Sequence, residues 1–124
     1  MKVGLSTLRG LLHENVVELK FRRRRPKPGI SLTRRMLCTT CDEILKSTEG
    51  RRALHFEDTR QPPKFNLTGK NLEIVWDLFK QDYRCVSGDE VEIISVIPKD
   101  EFWHYYNENL YKMTPEQKET FFNI

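Results

Sequence analysis

Hydrophobic positions change spacing several times along the chain, and each spacing predicts a different element. Leu5, Leu8, Leu11 and Leu12 fit a short helical stretch interrupted by Gly10, and a strand fits them equally. From Asn15 the pattern alternates, with Val17, Leu19 and Phe21 on one side of a strand and Glu18, Lys20 and Arg22 on the other. Pro26, Pro28 and Gly29 turn the chain, and Ile30 to Thr39 reads as the returning strand. Thr40 is a candidate N-cap for one or two helical turns over Cys41 to Lys46, with Glu43 three residues after it. Arg51 to Phe56 predicts another strand. Thr59 to Asn71, holding Pro62, Pro63 and Gly69, predicts a long connection and the most mobile segment.

The clearest hairpin follows. Leu72 to Phe79 alternates with Ile74, Trp76 and Leu78 on one face, Lys80-Gln81-Asp82 turns, and Tyr83 to Val86 returns. After Ser87-Gly88-Asp89, Val91 to Ile97 is a last strand rich in β-branched residues. Five or so short strands at this spacing are the pattern of a small barrel or sandwich. Then the period lengthens. Pro98 suits a helix start, Asp100 and Glu101 lie near the positive end of its dipole, and Phe102, Trp103, Tyr106, Leu110 and Met113 recur at helical spacing. Thr114-Pro115-Glu116-Gln117 is a capping box that opens a short final helix carrying Phe121 and Phe122. The chain reads as a single domain over residues 1–124, with a β core over 13–97 and a helical C-terminal extension over 98–124. Its fold class is mainly β (α+β).

Charge sharpens this picture. The formal net charge of +3 conceals two unlike halves: residues 1–64 hold 15 Lys/Arg against 7 Asp/Glu, and residues 65–124 hold 6 against 11. Arg22, Arg23, Arg24, Arg25 and Lys27 crowd the first hairpin turn, and Arg34 and Arg35 follow on the returning strand. Arginine clamps phosphate bidentately and stacks on bases, so these seven residues form a candidate nucleic-acid-binding set. Trp103, Tyr105, Tyr106 and Tyr111 cover more of the C-terminal helix than one packed stripe needs. They form a candidate protein-binding set, because Trp and Tyr concentrate binding energy. No stretch approaches the roughly 20 apolar residues of a membrane span, and no signal-peptide segment stands out. Three cysteines, an odd number, point to a reducing cytoplasm.

Few residues invite chemistry. Cys38 and Cys41, with His55 and Cys85, contain the donor types of a Cys₃His zinc site, but they lack the paired knuckles of most structural sites. The expectation is no metal and no cofactor. Asp77 and Arg84 flank the Phe79–Tyr83 turn and are expected to pair across the hairpin as a structural contact. His13, His55 and His104 are scattered, and no glycine-rich nucleotide loop is present. The expectation is a protein without enzymatic activity.

The stretch from about Val16 to Ile97 resembles a small WYL-like family of T-even-like and cyanobacterial myoviruses with an Sm- or SH3-type β-barrel. The resemblance rests on Arg34-Arg35-Met36-Leu37-Cys38-Thr39, on Val75-Trp76-Asp77-Leu78, and on Tyr83-Arg84 leading into Val91-Glu92-Ile93-Ile94. The basic turn is longer and richer in Arg and Pro than the family's Lys-Lys-Asp-Gly turn, and the aromatic helical tail lies outside the pattern. The resemblance implies an SH3/Sm-like β-barrel with a C-terminal α-helical appendage. It also implies a bacteriophage protein acting in the host bacterial cytoplasm, and it brings no catalytic residues. Two roles are expected. One is an accessory protein of host takeover or transcription regulation that grips DNA or RNA through the Arg-rich hairpin. The alternative is a modulator that binds a bacterial host protein, such as transcription machinery, a nuclease or a defence factor, through the basic hairpin and the aromatic helix.

Overall fold

A computed structural model of the chain describes residues 4–22, 28–29, 32–54, 56, 72–87, 91–114 and 116–117. Helix α1 (Leu5–Glu14) leads into β1 (Asn15–Arg22) and β2 (Thr33–Thr39). Two short helices follow, α2 (Asp42–Leu45) and α3 (Thr48–Ala53), then β3 (Leu72–Asp77), β4 (Asp82–Ser87) and β5 (Val91–Pro98). Helix α4 (Lys99–Tyr105) continues into one π-helical turn over Tyr106–Leu110. Helix and strand are comparable in amount, so the fold is α+β, and helices flank the strands at both ends and in the middle. The predicted 59–71 connection lies outside the described residues.

The strands make one antiparallel sheet in the order β4-β3-β2-β1-β5. Its two edge strands are joined by only residues 88–90. Laid flat, four inter-strand steps would hold the edges about 19 Å apart. The four residue steps from Ser87 to Val91 span at most about 14 Å. The sheet therefore curls until its edges come within that reach. Val17, Leu19, Met36, Cys38, Val75, Val86, Val91 and Ile93, drawn from all five strands, bury against Leu8 and Leu12 of α1. Both edges contribute buried valines to this side, whereas the opposite side carries the exposed Arg22 and Glu92, so the first is the inner face. Of the two readings open for the first dozen residues, the helix is the one realised, because α1 plugs the curl.

On the outer face, Val16, Leu37, Trp76, Leu78 and Ile97 pack beneath Ile44, Leu45, Leu54, Phe102 and Leu110 of the other helices. Trp76 is 1% exposed, donates its indole N–H to the Leu54 carbonyl at 3.3 Å, and meets Phe56 and Tyr83 edge-on with ring centroids 5.1 Å away in each case. Two predicted elements change here. Arg51 and Arg52, expected in a strand, lie in the last turn of α3, because the Ser47 hydroxyl accepts a hydrogen bond from the Gly50 amide at 2.9 Å and starts a helix there. Gly50 is required at that crossing, since a Cβ would lie 1.9 Å from the Ile44 carbonyl oxygen. Cys41, not Thr40, is the N-cap of α2, and it makes no side-chain cap. Thr39 takes over the polar work nearby, donating to the Asn15 carbonyl at 2.8 Å and accepting from the Cys41 amide at 3.0 Å. Thr114 and Gln117 make the reciprocal hydrogen bonds of the expected capping box, at 2.9 and 3.2 Å, and the final helix expected to carry Phe121 and Phe122 lies outside the described residues.

The sheet's shortest seam lies between β2 and β3, paired only at Cys38–Asp77 and Thr39–Trp76. Beyond it the Leu78 amide donates to the Leu37 carbonyl at 3.0 Å. Arg34 Nη2 donates to Asp77 Oδ2 at 2.7 Å, and Asp77 is fully buried. The other carboxylate oxygen accepts the Phe79 and Lys80 amides at 3.0 and 3.1 Å, fixing a turn in which Gln81 adopts φ 56°. The expected Asp77–Arg84 pair is therefore replaced by Asp77–Arg34. The β3–β4 register explains why, since it sets Asp82 opposite Asp77 and Arg84 opposite Val75. Arg84 reaches Asp82 instead, at 4.0 Å. Burial pushes the Asp77 carboxyl above its ordinary range, and Arg34, the turn amides and Arg84 draw it back down.

Asp77→Asn preserves the turn-capping oxygen but takes the Asp77 charge away from a buried guanidinium. Urea melts should show a loss of about 3–5 kcal/mol, largely recovered when Arg34→Met is added; a neutral Asp77→Asn would contradict this account. Arg34→Met alone removes the main counter-charge and raises the Asp77 carboxyl further. A carboxyl raised in the folded state binds its proton more tightly folded than unfolded, so its contribution to stability falls as pH rises from about 4 through the folded value. Arg34→Met should thus lie closer to the parent protein at pH 5 than at pH 7.

Candidate functional site

Strand alternation divides the arginine cluster. In the β1–β2 register Phe21 faces Arg34, Lys20 faces Arg35, and Arg22 faces Thr33. Arg34 and Arg35 are consecutive and so project to opposite faces of the sheet. Arg34 turns inward, where it is 7% exposed, pairs with Asp77, and lies 5.7 Å from the centroid of the Phe21 ring. It does not belong to a solvent-facing grip. Arg35 stays on the outer face and holds Glu18, donating through Nε at 3.0 Å and also through Nη2.

The outer face of the hairpin therefore presents Lys20 and Arg35 side by side, then the exposed Arg22 at the strand end. Such like-charge neighbours repel, and two carboxylates temper them: Glu18 on Arg35, and Glu92 opposite Lys20 on β5. Pro28 and Gly29 form a turn, with Gly29 at φ 77°, a conformation that favours glycine. Arg23, Arg24, Arg25 and Lys27 lie outside the described residues, between this face and that turn in sequence. Lys20 was absent from the candidate set, although the alternation that aligned it with Arg22 was visible in the sequence.

The four candidate aromatics also separate. Tyr105 borders the basic face, where burial and then the Glu18 carboxylate raise its phenol above the ordinary range while Arg35 opposes them. The phenol stays protonated at neutral pH. Trp103, Tyr106 and Tyr111 gather instead around a cleft of about 810 Å³ between α3 and the π-helical turn, completed by Glu49, Arg52, Ala53 and Asn107. Ring centroids are 5.6 Å apart for Trp103–Tyr106 and 6.4 Å for Tyr106–Tyr111. The π-helical turn creates this grouping: the Tyr111 amide donates to the Tyr106 carbonyl five residues back at 2.8 Å, which brings the two rings together. Tyr111 is 74% exposed. Arg52 falls in the Arg51–Phe56 segment that predicts a strand, whereas Glu49 and Asn107 carry no local signal.

The cysteines do not converge. Cys38 packs in the inner cluster and its thiol donates to the Val17 carbonyl at 3.7 Å, while Cys41 packs in the outer cluster on the far side of the sheet. His55 lies outside the described residues. Among the described residues, no group of three His, Cys, Asp or Glu side chains is arranged to hold a metal ion. None of the described helices is long and apolar enough to cross a membrane. Compared with family models, curated proteins and solved structures, the chain matches none of them.

Burial, then the nearby Asp77, pushes the Cys38 thiol well above its ordinary range, whereas Cys85 is only half-buried. A thiol titration of the native protein at pH 8 should modify Cys85 first. Cys38 and Cys41 should react only with unfolding, and rapid labelling of Cys38 would refute its inner placement.

Proposed function

We propose that this chain is a non-enzymatic accessory protein that binds nucleic acid through the outer face of the β1–β2 hairpin and its Arg-rich turn. The observation that carries the reading is the register that aligns Lys20, Arg35 and Arg22 on one face leading into Arg23, Arg24, Arg25 and Lys27. Arginine and lysine on a strand face suit the phosphate backbone, which sets affinity and orientation without reading sequence. The curled five-stranded sheet supports the reading of a small SH3/Sm-type barrel, here plugged by α1. A setting in phage takeover of a bacterial host, or in transcription regulation, follows from the resemblance alone.

One observation favours a second reading. The largely exposed Tyr111 beside Trp103 suits an anchor for a bacterial host protein, with the basic hairpin meeting an acidic surface. Capture of a defined partner from nuclease-treated lysate, abolished by Tyr111→Ala, would favour it.

Fluorescence anisotropy with a labelled duplex tests the first reading. If about four phosphates are neutralised, log K should fall with log salt at a slope of about −3 to −4. Lys20→Ala and Arg22→Ala should each reduce the steepness by about 1 and weaken all sequences alike. Arg34→Met should leave the slope of the folded fraction unchanged, because its guanidinium faces inward. A flat salt response, or no binding of either a duplex or a single strand at low salt, ends the proposal.

A further inference from the structure

We infer that the cleft between α3 and the π-helical turn receives an unpaired nucleobase from a single strand whose phosphates lie on the β1–β2 face. This rests on the nucleic-acid reading above and adds to it a preference for single strands.

The two surfaces are joined by one helical segment. Helix α4 packs on β1, whose outer face carries Lys20 and Arg22, and Trp103 of that helix and Tyr106 just after it line the cleft. One helical segment thus links the strand that carries the cations to a set of aromatic rings. Their charges divide in the same way. The basic face carries the cationic excess, while in the cleft the carboxylate of Glu49 offsets the guanidinium of Arg52. A phosphate gains little in a site of balanced charge, whereas an uncharged base loses nothing there.

The lining matches a base in kind. Trp103, Tyr106 and Tyr111 offer π-faces for stacking, and Arg52, Asn107 and Glu49 offer donors and acceptors to a base edge. A base within a duplex is already stacked and paired, and it presents neither face nor pairing edge. At about 810 Å³ the cleft falls within the range of small-ligand sites, roughly 300–1,000 Å³, with room for a base and its sugar. Tyr111 closes one side of it with a ring that is mostly in water. Stacking a base on that ring removes apolar surface from solvent at little conformational cost.

The test compares a fluorescein-labelled thymidine 20-mer with a duplex of the same length at one low salt concentration, using the full chain. The single strand should bind more tightly than the duplex and quench Trp emission, and Trp103→Phe should abolish the quenching. Tyr111→Ala should weaken single-strand binding about five- to a hundredfold, the range that base–aromatic stacking spans, and leave duplex binding unchanged. Tyr111→Phe, which retains the ring, should restore it. If Tyr111→Ala changes neither strand while the salt slope persists, the cleft proposal fails and the basic-face reading stands. If Tyr111→Ala weakens both forms equally, the single-strand preference is wrong. If neither form binds at low salt, both readings fall, and Trp103 quenching by a host protein alone would assign the cleft to a protein partner.

Discussion

Arg34 and Asp77 bury opposite charges where β2 and β3 share only two residue pairs. The three strands β2, β1 and β5 form one long-paired group, and β3 with β4 forms another. Their union depends on side chains more than on the backbone ladder. Asp77 serves three partners at once: the guanidinium of a distant strand and two amides of its own turn. Desolvation still outweighs that support and raises its carboxyl, so the pair is specific without being comfortable. Opposite charges held this way fix which strand lies beside which, and the curl of the sheet follows from that order and the short 88–90 connection.

The same pair decides which cations remain on the surface. A strand cannot turn two consecutive arginines to one side. Arg34 completes the interior, and Arg35 joins Lys20 on the surface, steadied by Glu18. The cationic face is thus partly compensated along the strands, by Glu18 at Arg35 and by Glu92 opposite Lys20. Lys99 does similar local work at the other end, where its Nζ lies 2.8 Å from Glu14 and 2.9 Å from Glu43, joining α4 to the end of α1 and to α2. These contacts are largely exposed, so they orient more than they stabilise.

The C-terminal segment couples this face to an aromatic one. Helix α4 turns back over the outer sheet from Pro98, with Phe102 fully buried beneath it. Leu110 is buried there, while Tyr111, bonded through its amide to the Tyr106 carbonyl by the π-helical turn, is left in solvent.

Local sequence determined the parts of this protein whose physics acts over a few residues. Alternation set β1 and the β3–β4 hairpin, Pro98 and its acidic neighbours set the start of α4, and the Thr114–Gln117 box closed as its residues dictate. Trp76 was legible as core from its place among alternating apolar residues. Tertiary structure decided whatever depended on what lies across a gap. The partner of Asp77 is 43 residues away in Arg34, not seven away in Arg84, because the strand register and not sequence proximity brings charges together. Cys38 and Cys41 are neighbours in sequence but lie on opposite sides of the sheet. The segment around Arg51 became a helix because the Ser47 cap and the close crossing at Gly50 outweighed its apolar spacing. Periodicity states that a strand has two faces; only the packing of α1 against one of them determined which face became the interior, and hence which arginines remain outside.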